Sequence, residues 1–284
     1  MSGTLVQFGP AWSASFRRGT DVELRGWVQT ALSWCDEADA IAMRHFRRDV
    51  KVERKPDRTF VTIADRAIEE LIRARIADTF PKHGVLGEEF GEEAAGASVR
   101  WIVDPIDATH NFMRGVPIFG TLMAVERDGE LQAAVISAPA LGQRWGGWRG
   151  GGAWAMSTML TGDARRMSVS GIGELGDAQV LYSSPTDLER SGLAPGMGRV
   201  RAGVWRERGF GDFWGYTLLA EGAAEAMIEV GLKPWDAAAP FLLVEEAGGR
   251  VTDFEGTRTF TGASILASNG LLHQAILDDL VAPA

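Results

Sequence analysis

The segment Trp101-Ile102-Val103-Asp104-Pro105-Ile106-Asp107-Ala108-Thr109 constrains this chain more than any other. An apolar run, read as a strand over Arg100 to Val103, leads into two carboxylates that straddle Pro105. Proline fixes one φ angle where the segment leaves the strand, and such a turn can aim both carboxylates and the Ile106 carbonyl at one point. Asp107-Ala108-Thr109 then starts a helix, whose free backbone N–H groups suit an anion. Two more acids belong with this pair: Glu88 in Gly87-Glu88-Glu89, after a short strand, and Asp236 in Pro234-Trp235-Asp236-Ala237-Ala238-Ala239. Acid held at the edge of a core is costly to keep ionised. Several carboxylates meeting at one point raise each other's pKa unless a cation lies between them. Oxygen-only donors favour Mg²⁺ or Mn²⁺ over zinc. Taken singly, Glu88 reads as surface acid, Asp104 and Asp107 as turn formers, and Asp236 as a helix N-cap. The ordered set disfavours those readings.

The rest of the pattern is mixed. A long amphipathic helix is expected over 22–48 and a hairpin over 51–62, turned at Pro56-Asp57. A second helix spans Ala64 to Phe80, with Asp65 near its start. Residues 92–98 read as a surface loop, Gly120–Arg127 and Leu131–Ser137 as a hairpin turned at Asp128-Gly129, and Gln143–Trp154 as a further strand pair. The glycines at 150–152 lack the Lys-Ser/Thr of a phosphate-binding P-loop and read as a turn. Beyond residue 160, strands alternate with helices, so this half reads as α/β; a strand is expected over 200–207.

The chain has 284 residues, enough for one large domain or two packed halves. With 29 basic and 38 acidic residues it carries a formal charge of −9, which argues against a nucleic-acid surface but not against a phosphorylated substrate. No apolar run approaches the ~20 residues that cross a bilayer, and the N-terminus has no secretory pattern, so no membrane partner and a cytoplasmic location are expected. The single cysteine, Cys35, excludes an intramolecular disulfide and reads as a buried structural thiol. The ten tryptophans read as packing residues, not a base-stacking platform.

The motifs resemble those of the inositol monophosphatase superfamily of metal-dependent phosphatases, from about Val22 to Leu280. The resemblance is carried by the two acids after Gly87, the run Trp101 to Phe112, and Trp235-Asp236-Ala237-Ala238-Ala239. Asn111 to Pro117, Ser137 to Leu141 and Gly211-Asp212-Phe213 are most similar to the histidinol-phosphate phosphatases of this fold. The resemblance implies a layered αβαβα sandwich of the inositol monophosphatase and fructose-1,6-bisphosphatase type. It has an N-terminal extension (1–20), an α+β half (21–160) and an α/β half (161–284), with the active site between the halves. It implies Glu88, Asp104 and Asp107 as metal ligands, the Ile106 carbonyl beside them, and Asp236 as a ligand from the second half that also meets substrate. Asp65 would pair with Thr109 to orient the attacking water, and Glu88 shares in that catalysis. Asp107 and the amides of Ala108 and Thr109 would hold phosphate. Asp212 and Glu229 would meet the organic part of the substrate, and Lys55 falls where the family has a lysine near an outer metal.

The implied reaction is Mg²⁺-dependent hydrolysis of a phosphate monoester by a metal-activated water, without a phosphoenzyme. Two or three Mg²⁺ ions are implied, with Mn²⁺ able to substitute, together with a homodimer and inhibition by Li⁺. Two acids beyond the metal site suit the ammonium and imidazole of histidinol phosphate, since charge-assisted hydrogen bonds are the stronger kind. Inositol-1-phosphate or a broader sugar phosphate is the second reading, and a catalytically silent phosphate-binding relative the third. Only Ala108 supports the third: the family has Gly there, and Ala at positive φ would cost roughly 1 kcal/mol.

Overall fold

The computed structural model describes residues 19–48, 52–54, 60–157 and 164–283. Residues 1–18 of the expected extension, Lys55 and the Pro56-Asp57 turn lie outside these. The chain divides into two compact units, the first running to Arg166 and the second from Met167.

The first unit opens with helix α1 (Gly19–His45). Strands β1 (Val52–Arg54) and β2 (Phe60–Thr62) pair antiparallel. Helix α2 (Ile63–Thr79) follows. Then come β3 (Gly84–Gly87), β4 (Gly91–Glu93), β5 (Val99–Asp107) and the short helix α3 (Thr109–Met113). Strands β6 (Gly120–Arg127), β7 (Glu130–Ala138), β8 (Gln143–Trp148), β9 (Gly152–Ser157) and β10 (Arg165–Arg166) complete the unit. The eight strands β3 to β10 form one sheet in the order β10-β9-β8-β7-β6-β5-β3-β4. Of its pairs, β3 with β5 is parallel, and the others are antiparallel.

Both long helices bury their stripes against this sheet. Trp27, Trp34 and Ala38 of α1 and Ile68, Ile72 and Ile76 of α2 share one core with Trp101, Val103, Met123 and Val125. The four-residue recurrence on α2 is the apolar face of a helix, and the two-residue recurrence on β5 is one face of a strand. Each such fully buried side chain contributes roughly 1.5–3 kcal/mol. Arg144 of β8 staples α1 to the sheet, bonding Asp36 at 2.7 Å, Asp39 at 2.5 Å and the Ser137 hydroxyl at 3.0 Å. Cys35 is buried beside it, and burial with the nearby Asp39 charge pushes its thiol far up, which makes it a structural group.

The second unit contains β11 (Gln179–Tyr182), α4 (Pro185–Arg190), α5 (Ala194–Gly203), β12 (Arg206–Arg208), α6 (Asp212–Ala220) and β13 (Ala226–Val230). Helix α7 (Pro234–Glu246), β14 (Arg250–Thr252), β15 (Ser264–Ser268) and α8 (His273–Val281) follow. Its five strands run β12-β11-β13-β15-β14. Strand β11 is parallel to both neighbours, and β15 is antiparallel to both of its own. No helix among the described residues is long and apolar enough to cross a membrane.

Two expectations are corrected. The strand expected over 200–207 is mostly helix α5, and only Arg206–Arg208 is extended. The reason is tertiary: Met197 and Val200 pack with Leu277 and Leu280 of α8, and a Cβ on Gly196 would stand 1.9 Å from the Leu280 carbonyl oxygen. Gly196 disfavours a helix in isolation but permits this close approach. The loop expected over 92–98 begins inside a strand, because Gly91–Glu93 pairs with Gly84–Gly87 as an exposed edge. Its acids are held by cations: Glu93 lies 3.3 Å from Arg73, and Glu92 lies 2.8 Å from Arg100.

Candidate active site

A regular strand would point residues 104 and 107 to opposite faces, because side chains alternate with a period of two. Strand β5 is not regular there. Asp104 faces Leu122 on β6 while Asp107 faces Gly120, so one extra residue is absorbed between them as a bulge. Pro105 sits inside the bulge, where its missing N–H does no harm, and its carbonyl accepts the Thr121 hydroxyl at 2.8 Å. The result is that carboxylate oxygens of Asp104 and Asp107 come within 4.8 Å of one another. Both are buried, at 2 % and 8 % exposure. Glu88 follows β3, and its backbone N–H donates to the Val103 carbonyl at 3.2 Å, one residue before Asp104.

Asp65 is fully buried near the start of α2. It is not the N-cap of that helix. Thr62 is the cap, and Asp65 stands three residues on, completing a capping box. The Thr62 amide donates to Asp65 Oδ2 at 2.9 Å, the Thr62 hydroxyl donates to the same oxygen, and the Ala64 amide donates to the Thr62 hydroxyl at 3.2 Å. Burial pushes the Asp65 carboxyl up to about 6, with the Glu88 charge adding to the rise and Thr62's donors opposing it. The Thr109 hydroxyl donates to Asp65 Oδ1 at 3.5 Å and to the Ile106 carbonyl at 3.0 Å. One hydroxyl therefore joins the bulge to the capping box.

Between them stands Ala108, at φ 63° and ψ 46°. This left-handed conformation turns the chain from β5 into α3, whose Asn111 and Phe112 amides donate back to the Ala108 carbonyl at 2.9 and 3.1 Å. A Cβ in this region costs about 1 kcal/mol or more, so the alanine is strained yet still makes the turn that glycine makes freely. His110 is exposed, with its ring edge against Phe60 at 5.3 Å between centroids. Trp145, Trp148 and Trp154 are buried in the first unit, whereas Trp205 is exposed.

The second unit gathers the remaining acids. Glu229 lies buried on β13. Burial first, then the nearby charges of Asp212 and Asp236, push its carboxyl up to about 8, while the nearby Tyr216 and Ser183 side chains oppose the rise. Asp212 opens α6 at φ 55°, a strained left-handed position for a residue other than glycine. Asp236 is not the N-cap that it resembles when taken singly: Lys233 is the cap of α7, and its amide donates to Asp236 Oδ2 at 2.8 Å. Ser183 and Tyr216 escaped the sequence reading. Tyr216 had a signal, since it falls four residues after Asp212 on one helix face; Ser183, at the end of β11, had none.

Asp104 and Asp107 offer buried, convergent oxygens with the Ile106 carbonyl beside them, and this donor set fits a hard divalent cation. Comparison with known proteins points the same way. The model of the inositol monophosphatase family matches residues 23–283. A histidinol-phosphatase of Mycobacterium tuberculosis is 43% identical over 254 residues, covering 89% of this chain and 97% of the relative. An inositol-1-monophosphatase of Mesorhizobium japonicum is 34% identical over 242 residues, covering 83% of this chain and 88% of the relative. Among solved structures, the extragenic suppressor protein SuhB of Bartonella henselae superposes with a TM-score of 0.83 at 29% identity, covering 91% of this chain and all of that one.

Proposed function

Because the chain belongs to the inositol monophosphatase family, and is thereby a metal-dependent phosphatase of a small phosphorylated substrate, we propose that its substrate is L-histidinol phosphate. The products are L-histidinol and phosphate. The observation that carries this reading is the 43% identity, over 89% of this chain, to a histidinol-phosphatase, and the acids Asp212 and Glu229 of the second unit agree with it. Two such carboxyl groups are relieved by a cation, and histidinol phosphate brings an ammonium and a titratable imidazole. A second reading, inositol-1-phosphate or another sugar phosphate, is favoured by the likeness to an inositol-1-monophosphatase and by the neutral Tyr216 and Ser183 side chains near Glu229, which suit a polyol.

Glu88, Asp104, Asp107, Asp236 and the Ile106 carbonyl would hold Mg²⁺, with Mn²⁺ as a substitute. When bound, the cation supplies charge to polarise the phosphoryl oxygens and to acidify a water. Asp65 fixes the Thr109 hydroxyl, which orients that water. The amides of Ala108 and Thr109 hold the phosphate oxygens, with Asp107 and Asp236 beside them. Asp212 and Glu229 take the organic part. Ala108 does not favour a silent relative, because it keeps the left-handed turn. Homodimeric assembly, inhibition by Li⁺ and a cytoplasmic location belong to the same reading.

Phosphate release from L-histidinol phosphate and from inositol-1-phosphate, with and without Mg²⁺, tests it. Release that depends on Mg²⁺ and favours histidinol phosphate is expected. Comparable rates on both esters would remove the substrate assignment.

A further inference from the structure

Helix α2 carries a second buried acid that the roles above leave unused. Glu69 is 0 % exposed and lies one turn beyond Asp65 on the same helix face. A glutamate there requires donors, and it has them. Its Oε2 accepts the Glu89 amide at 2.7 Å, and its Oε1 accepts the Phe90 amide at 3.2 Å. Arg73, one turn further on, donates Nε to Oε1 at 2.9 Å. The same guanidinium reaches the Gly91 carbonyl and, at 3.3 Å, the Glu93 carboxylate. The pair therefore grips the backbone that follows Glu88 at three successive residues. From the other side, the Glu88 amide is tied to Val103 at 3.2 Å. Gly87 completes the arrangement: a Cβ there would stand 1.9 Å from Glu69 Oε1, so the buried carboxylate fills the space that a side chain would take.

We infer that Glu69, locked by Arg73, is a positioning residue that sets the Glu88 loop for metal binding. The inference rests on the reading of Glu88 as a ligand. Both Glu69 oxygens are in use as acceptors. A glutamine would turn an NH₂ toward one of the two amides, and an aspartate falls one methylene short of spanning them. Groups that orient a ligand from behind typically matter about 10–100-fold in metal affinity.

The test is a calorimetric Mn²⁺ titration of the full chain as native protein, Glu69→Gln, Glu69→Asp and, as control, Glu88→Gln, with hydrogen exchange followed over residues 88–91. Both Glu69 variants should bind Mn²⁺ about 10–100-fold more weakly. The Glu89 and Phe90 amides should exchange faster, while the KM for phosphate ester at saturating metal stays near the native value. Folded Glu69→Gln with native Mn²⁺ affinity overturns the inference. If Glu88→Gln also binds like the native protein, the ligand reading has failed; if only Glu88→Gln loses metal, the positioning role alone has failed. Should Glu69→Gln not fold, Arg73→Gln loosens the same carboxylate, and native Mn²⁺ affinity in that variant overturns the inference equally.

Discussion

Asp65 and Asp236 occupy the same place in two helices, one in each unit. Each stands three residues past the N-cap and turns an oxygen back to the cap amide, at 2.9 Å for Asp65 and 2.8 Å for Asp236. Their surroundings differ. Around Asp65 the first unit supplies donors: the Thr62 amide, the Thr62 hydroxyl and the Thr109 hydroxyl. Around Asp236 the second unit supplies more acid, with Glu229 held at about 8. The first unit thus fixes its acids by backbone devices, a bulge, a left-handed turn and a gripped loop. The second gathers Asp212, Asp236 and Glu229, and burial with the two aspartate charges raises the Glu229 pKa. In the proposed function Asp65 serves the reaction, and Asp212 with Glu229 serves the choice of substrate.

The largest effect should come from breaking the first side of this comparison. Asp107→Asn should lower kcat/KM on the order of 10³-fold or more, since several kcal/mol of charge stabilisation are at stake. Circular dichroism should remain native, because the bulge is set by Pro105 and β6. Asp236→Asn should do the same to turnover and leave the fold intact; near-normal phosphate release would remove it from the ligand set.

A smaller effect belongs to the scaffold behind Glu229. His273 is fully buried between the Thr252 hydroxyl at 2.9 Å and the Ser268 hydroxyl at 2.8 Å, tying β14 and β15 to α8. Burial, with Arg250 nearby, lowers its pKa to about 4. Between pH ~6.5 and ~4 the unfolded chain binds a proton that the folded chain refuses, so stability falls as the pH falls through this window. The loss from this one group is about 3 kcal/mol at the acid end. Denaturant midpoints at pH 7 and pH 4.5 should differ less in His273→Gln than in the native protein; an unchanged difference would show that His273 is not the group responsible.

The smallest effect sharpens the first side. Ala108→Gly relieves a left-handed alanine and should stabilise the fold by about 1 kcal/mol, raising Tm by a few degrees. A lower Tm would mean that the turn carries no strain.

Much of this was legible in the sequence because the acids sit in motifs whose spacing is unusual for surface charge. Asp104, Asp107, Glu88 and Asp236 stand out next to apolar runs, and the fold class follows from the family resemblance that their motifs carry. The device that brings Asp104 and Asp107 together was not legible, because a bulge depends on the facing strand. Taken singly, Asp236 reads as an N-cap, three residues from the true one, because Lys233 gives no capping signal by composition. Helix α5 was hidden by its glycines, of which Gly196 is required by the contact with α8. Glu69 looked like any solvent-facing glutamate on a helix, and its burial depends on a loop twenty residues away.

The division between reaction and specificity is tested most directly by kcat/KM for L-histidinol phosphate and for inositol-1-phosphate in Asp212→Ala at saturating Mg²⁺. Loss of one charge-assisted contact should cost histidinol phosphate about tenfold, near 1.4 kcal/mol, and leave inositol-1-phosphate almost unchanged. Equal losses on both esters would contradict the account, placing Asp212 with the reaction and not with the choice of substrate.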